Sequence, residues 1–166
     1  MKNKGFSLVE MLIVVGIIGI MSAIAGLAYK SWTDKYNVER QTKEMYVDLM
    51  KARVNAMSRG RVFCVDFATT SYTIKEDTQP VSTDGDGVCT TAGDRTVMTK
   101  TLSSNYGVTL TDPTVTTVRF GTKGNTIAGK KTIYVTTPYG AAYDCIVIDD
   151  FRINMGAWNG TSCVDK

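Results

Sequence analysis

The chain has 166 residues, of which 43% are hydrophobic, and a formal net charge of +3, which fits one modest domain plus an anchor. Histidine is absent, and this excludes Ser-His-Asp and Cys-His catalysis as well as histidine metal sites. From residue 60 onward ten basic and eleven acidic side chains nearly cancel, which argues against the basic surface of a nucleic-acid binder. Because no motif indicates catalysis, we expect no enzymatic activity.

The N-terminal segment is a long apolar run that contains a single acid. Residues 6–29 are 24 positions, all apolar, small or aromatic except Glu10, and they are enough to cross about 30 Å of hydrocarbon as a helix. Lys2 and Lys4 precede the run, so the positive-inside rule places the short N-terminus in the cytoplasm and the rest outside. An acid in such a run is usually functional, because its insertion into lipid is costly.

Three interpretations of this run compete. A secretory signal would be cleaved at the small residues before Gly26, but the run is long for such a signal and Glu10 interrupts it. A plain membrane anchor gives no reason for Glu10. The third interpretation explains the acid and its neighbours together, because residues 4–10, KGFSLVE, resemble the signal of type IV prepilins and type II secretion pseudopilins.

The resemblance implies a processing reaction at the start of the chain. Residues 1–5 would be a leader that a prepilin peptidase removes after Gly5 on the cytoplasmic face. Phe6 would become the N-methylated first residue, and Glu10 would be the assembly contact that meets the Phe6 ammonium of a neighbour. The helix would remain a single-pass anchor in the bacterial inner membrane, with the head in the periplasm. Other pilin subunits and the inner-membrane assembly platform would then be the partners, with no cofactor or metal.

Helical periodicity continues beyond the apolar run. A predicted core face is formed by Met45, Leu49, Ala52 and Ala56, with Tyr46, Met50 and Met57 beside it. Opposite charges are spaced four residues apart in the pairs Lys35/Glu39, Glu39/Lys43 and Arg40/Glu44. Arg59 and Gly60 supply a basic last turn and a glycine stop. We therefore predict one helix from residue 6 to about 59, with 6–29 in membrane or filament core and 30–59 continuing into a head.

After residue 60 the sequence changes to short alternating runs that are typical of strands. These runs are RVFCVDF, TSYTIKE, RTVMTKTL, VTTVRF, KTIYVTT and YDCIVID. We predict six to eight strands, largely antiparallel, packed on the amphipathic half of the helix. The fold class is then α+β, and residues 60–166 form its β-rich globular head.

The head resembles the GspH/FimT group of minor pseudopilins and pilins. The matching features are Ala52-Arg53 with Ala56 and Arg59, Val62 and Cys64 on the first strand, and the segments 84–87, 120–124 and 151–154. The group often has a Gly-Arg pair in the last strand, where this chain has Phe151-Arg152. The resemblance implies a minor subunit of a type IV pilus or secretion pseudopilus. A major pilin and a membrane-anchored extracytoplasmic binding domain are the alternatives.

All four cysteines lie beyond the apolar run, at Cys64, Cys89, Cys145 and Cys163. None forms a CxxC pair, so a four-cysteine zinc site is disfavoured. Disulfides fit a head outside the cytoplasm, and four buried thiols are the alternative. Among the three connectivities we favour the pairs nearest in sequence, Cys64–Cys89 and Cys145–Cys163. The second pair would tie the C-terminal tail to a late strand, as C-terminal disulfides do in many pilins.

Two further features suggest ligands. Four aspartates gather in a glycine-rich loop, at Asp77, Asp84, Asp86 and Asp94. Some pseudopilins bind calcium in a head loop, but this one lacks the glutamate at position twelve of an EF-hand, so we predict a solvated acidic loop. Some FimT-like pilins bind DNA through basic C-terminal residues. Here the tail has only Arg152 and Lys166, so we expect no nucleic-acid partner.

Overall fold

The structure, a computed structural model, describes residues 6–78, 86–89, 93–112, 116–127, 129–137 and 139–165. Within the N-terminal helix, the side chains of residues 24–28 are left out of the description. The expected leader 1–5 with Gly5, and Asp84 of the acidic loop, lie outside the described residues.

A single helix, α1, runs from Leu8–Arg59 and contains 52 residues, about 78 Å at about 1.5 Å per residue. It ends at Gly60, which has a left-handed φ of 63° and donates its backbone N–H to the carbonyl of Ala56. Glycine adopts this conformation without a Cβ penalty. The predicted helix and its glycine stop are therefore confirmed.

The two halves of α1 differ in what covers them. In residues 6–21 the large apolar side chains are between 45% and 78% exposed. In the second half the predicted core face is buried, at Met45, Leu49, Ala52 and Ala56. Of the residues predicted beside that face, Tyr46 and Met50 are partly buried and pack against the core, whereas Met57 is 45% exposed. Among the described residues, no helix is both long enough and apolar enough to cross a membrane.

Ten strands form two five-stranded sheets in the described residues. The first sheet contains β1 (Phe63–Ala68), β2 (Ser71–Glu76), β3 (Arg95–Thr101), β5 (Thr117–Phe120) and β6 (Thr126–Ile127). The second sheet contains β4 (Val108–Leu110), β7 (Lys131–Val135), β8 (Cys145–Ile148), β9 (Ile153–Trp158) and β10 (Cys163–Asp165). Their orders are β3-β2-β1-β5-β6 and β10-β9-β8-β7-β4, and the recorded pairs are all antiparallel.

The predicted α+β class is confirmed, whereas the predicted six to eight strands were too few. Strands β4, β6 and β10 were not predicted, and they have only two or three residues each. Such short segments cannot show the alternation on which strand prediction depends. The inner faces of both sheets and the second half of α1 share one hydrophobic core. Leu49 from the helix, Phe63 and Phe120 from the first sheet and Ile146 from the second belong to it.

The head holds the helix from Asp34 onward. A short 3₁₀ helix, Ser104–Tyr106, brings the Tyr106 hydroxyl to 2.8 Å from Asp34 Oδ1. Gln41 Nε2 donates to the Tyr106 carbonyl at 2.7 Å, and Glu39 Oε1 accepts from the backbone N–H of Ala142 at 2.9 Å. These contacts mark where the head-bound part of α1 begins.

Candidate functional site

The candidate site is the uncovered first half of α1, and its polar group is Glu10. This carboxylate lies in the first turn of the helix and is exposed, where the positive end of the helix dipole favours an anion. Phe6 lies two residues before the helix, separated from it by the N-cap Ser7, and is 77% exposed. The structure thus places Phe6 and Glu10 four residues apart on the uncovered part of the chain, far from the head.

The head has shallow polar cavities on its surface. One polar cavity of about 310 Å³ is lined by Lys130, Asp149, Arg152 and Asp165, among others, and its opposite charges face open solvent. In the part of the chain that the structure describes, no group of three or more His, Cys, Asp or Glu side chains could hold a metal ion.

Two disulfides are present, as predicted, and they join Cys64 to Cys89 and Cys145 to Cys163. The second connects β8 to β10 and passes over β9 at Gly156. A Cβ on that glycine would clash with the Val164 carbonyl and lie 3.1 Å from Cys163 Sγ. Sequence reasoning missed this glycine, although a glycine inside a strand often marks such a close approach.

The acidic loop is only partly solvated. Asp86 is exposed, but Asp77 is 1% exposed, and its Oδ2 accepts from the backbone N–H of Gly87 at 2.7 Å. Burial raises the pKa of Asp77, and the charges of Asp94 and Asp86 add to this rise against the hydrogen bonds from backbone N–H groups. The prediction of a solvated loop was therefore wrong at Asp77, whose side chain is buried where the loop begins.

A buried carboxylate fixes the helix to the first sheet. Asp48 on α1 is 5% exposed and accepts from the Tyr72 hydroxyl on β2 at 2.7 Å. Lys100 on β3 lies 3.4 Å from Asp48 and 2.9 Å from Glu44. Burial alone would raise the pKa of Asp48, but the hydrogen bonds from Tyr72 and Lys51 and the charge of Lys100 hold it below its ordinary value.

The end of α1 is also held by ion pairs. Glu76 at the end of β2 is buried, with its side chain only 4% exposed. It accepts from Arg59 of the helix at 2.9 Å, and Arg95 of β3 lies 3.4 Å away. The polar cluster around Asp48 and the polar cluster around Glu76 were not predicted from the sequence, because charged residues on a helix face are usually solvated. The two clusters hold α1 firmly against the head and leave its first half free.

A long helix with a bare apolar first half and a β-rich head on its second half defines a pilin-like filament subunit. Residues 1–26 match the family model of the prokaryotic N-terminal methylation motif. Residues 41–150, more than half of the chain, match the model of the type II transport protein GspH. The chain therefore belongs to the GspH family, which confirms the resemblance seen in the sequence.

Solved structures show the same fold at low sequence identity. The minor pilin FimU of Pseudomonas aeruginosa has been solved in two crystal forms, and each is 14% identical to this chain. One form has a TM-score of 0.54 and covers 72% of this chain, and the other has a TM-score of 0.56 and covers 76%. In both forms the match covers 92% of the FimU chain. The minor pseudopilin EpsH of the Vibrio cholerae type 2 secretion system gives a TM-score of 0.51 at 13% identity, over 73% of this chain and 97% of its own. No curated protein sequence matches the chain.

Proposed function

We propose that the protein is a minor subunit of a type IV pilus or a type II secretion pseudopilus. A prepilin peptidase removes residues 1–5, Phe6 becomes the methylated N-terminus, and the subunit then passes from the inner membrane into a filament. The observation that carries this proposal is the continuity of α1, which joins a methylation motif to a GspH head through a half-helix that the head leaves bare.

The membrane part of the proposal is supported by the sequence and the family. Residues 6–29 form the proposed single-pass anchor, with Lys2 and Lys4 on the cytoplasmic side and the head in the periplasm. The inner-membrane assembly platform is the proposed partner that moves the subunit into the filament. Two disulfides in the head are consistent with an oxidising compartment.

A minor role is supported by the two similar solved structures, which are described as a minor pilin and a minor pseudopilin. A major pilin is the alternative within the same class. The two roles differ in stoichiometry, so the abundance of this subunit in sheared filaments separates them.

We propose that Glu10 sets the axial register of the subunit in the filament. In an apolar bundle its carboxylate would meet the Phe6 ammonium of a neighbour, and slipped registers would leave both charges unpaired. Removing one partner of a buried ion pair typically costs about 3–5 kcal/mol. The correct register is therefore favoured over slipped registers by the free energy that is lost when the two charges are left unpaired.

The test compares Glu10→Ala and Glu10→Asp with the parent and with Leu12→Ala, a matched truncation of a neighbouring apolar residue. We expect Glu10→Ala to be cleaved after Gly5 and inserted as well as the parent, yet to be nearly absent from sheared filaments. Glu10→Asp should be intermediate, because its shorter side chain reaches less far. The measurement is the processed fraction recovered in filaments relative to membranes. If Glu10→Ala enters filaments as the parent does, the carboxylate is not an assembly contact.

A further inference from the structure

Three large aromatic side chains lie exposed where the bare half of α1 meets the head. Tyr29, Trp32 and Tyr36 are 69%, 64% and 55% exposed. Their spacing of three and four residues places them on one face of the helix. The rings of Trp32 and Tyr36 stack, with centroids 5.9 Å apart and planes at 15°. The three rings form a continuous aromatic stripe.

The head covers the other side of the helix at this level. Asp34, which accepts from the Tyr106 hydroxyl, lies about 160° around the helix from Tyr36 at about 100° per residue. Val38, the first fully buried residue among the described side chains of the helix, also lies on the far side. The stripe is therefore directed away from the head, and the core of this chain does not explain it.

We infer that the aromatic stripe, together with Lys30 and Lys35, binds the headgroup layer of a phospholipid membrane and sets the height of the head above it. This inference rests on the membrane anchoring proposed above. Tyrosine and tryptophan rings suit this layer because each has an apolar body and one polar group. Both lysines are exposed, and their ammonium groups complement the phosphates of anionic lipids.

The position of the stripe along the helix fits this layer. A helix that starts at Phe6 crosses about 30 Å of hydrocarbon within about 20 residues. Tyr29 and Trp32 then lie about 4 and 9 Å beyond the hydrocarbon edge, and an ordinary tilt of about 20° shortens these distances. The headgroup layer on each side is about 5–8 Å thick. The Cα of Tyr36 lies about 12–15 Å beyond the hydrocarbon edge and outside this layer, but helical side chains lean toward the N-terminus, so its ring is directed back toward the headgroups. The head-bound part of α1 begins at the level of Tyr36.

A second protein helix is a poorer occupant of this surface. Close packing between helices in a membrane favours small side chains that let the backbones approach. Here three bulky rings with polar groups stand beside two exposed lysines. Lipid headgroups can surround such a surface without close steric matching.

The experiment uses the two tryptophans of the chain, Trp32 and Trp158. Trp158 lies in the head, where it stacks on Tyr134 at 4.0 Å. The full-length variants Trp158→Phe and Trp32→Phe therefore each report one tryptophan and keep an aromatic ring at the other site. Each is reconstituted at low protein density in phosphatidylethanolamine–phosphatidylglycerol vesicles. The lipids carry bromine near the glycerol end or near the terminal methyl of the acyl chain.

We expect the emission of Trp32 to fall by about half with shallow bromine and much less with deep bromine, as for a ring at the interface. Trp158 should be quenched by neither lipid. If the protein floats with the vesicles but Trp32 is unquenched, the inference is wrong while the anchor stands. The same holds if Trp32 emission is blue-shifted without quenching, since a neighbouring subunit then covers it. If the protein does not float, both the anchor and the inference fail.

Discussion

Leu12 and Leu49 are the same residue type on the same helix, yet Leu12 is 68% exposed and Leu49 is 1% exposed. Burying a leucine contributes about 1.5–3 kcal/mol, so the head stabilises its half of α1 through such contacts. The first half presents a similar apolar surface with no part of the described head covering it. One continuous helix therefore serves two purposes, as part of the head core and as an apolar surface for another environment. The contrast between its halves supports the proposal that the bare half is the functional surface.

The largest expected effect comes from truncating these two leucines. Leu49→Ala should destabilise the head by about 2–5 kcal/mol, because it removes buried methyl groups and leaves a cavity. Leu12→Ala should change the free energy of unfolding of the head by less than about 0.5 kcal/mol, as surface substitutions usually do. Denaturant unfolding of the detergent-solubilised protein in a Trp32→Phe background, followed by Trp158 fluorescence, measures both. Equal losses would mean that the two halves are not energetically distinct.

A second prediction concerns the Cys145–Cys163 disulfide, which joins residues 18 positions apart. Replacing both cysteines by serine should lower the free energy of unfolding of the head by about 3 kcal/mol in the chain-entropy model. The control is the parent protein treated with a reductant. It should be less stable than the untreated double variant, because the reductant opens both disulfides and the double variant keeps one. A double variant as stable as the parent would show that this bond adds nothing to the head.

The smallest expected effect concerns Asp48 and its dependence on pH. The pKa of Asp48 is held below its ordinary value, so its charged form stabilises the head above the unfolded pKa of about 3.9. That contribution is lost as the pH falls through the folded pKa. Asp48→Asn should therefore cost about 1.5–3 kcal/mol at neutral pH, and the cost should shrink below about pH 4.

Unfolding of the parent and Asp48→Asn over a pH series measures this difference. Tyr72→Phe serves as the matched control, because it removes a hydrogen bond from the same carboxylate without changing a charge. A difference for Asp48→Asn that stays constant down to about pH 3 would contradict the assigned direction of the pKa shift.

The helix and the class of protein could be predicted from the sequence because their signals are long or local. The periodicity that places Met45 and Leu49 on one face repeats over several turns, and KGFSLVE is contiguous. The division of the strands between two sheets could not be predicted. Alternation shows which face of a strand is buried but not which strand lies beside it.

The polar contacts of the head were missed for a related reason. Asp48 lies between charged and apolar neighbours on a helix, and only the fold brings Tyr72 to its carboxylate. Gly156 is required mainly because the Val164 carbonyl of β10 approaches it closely, with Cys163 Sγ also nearby, and this depends on the order of β8, β9 and β10. The Asp48–Tyr72 contact and the need for Gly156 both depend on residues that are distant in the sequence. A single sequence therefore indicates them only weakly.

The most direct test of the account is the N-terminal mass of the protein extracted from membranes. We expect a chain that begins at methylated Phe6, and Gly5→Trp should leave Lys2 and Lys4 attached. A native N-terminus at Gly26 would identify a cleaved secretory signal, which removes Glu10 and most of the bare half of α1. That result would contradict a pilin-like role, and an unprocessed Met1 would contradict the proposed maturation.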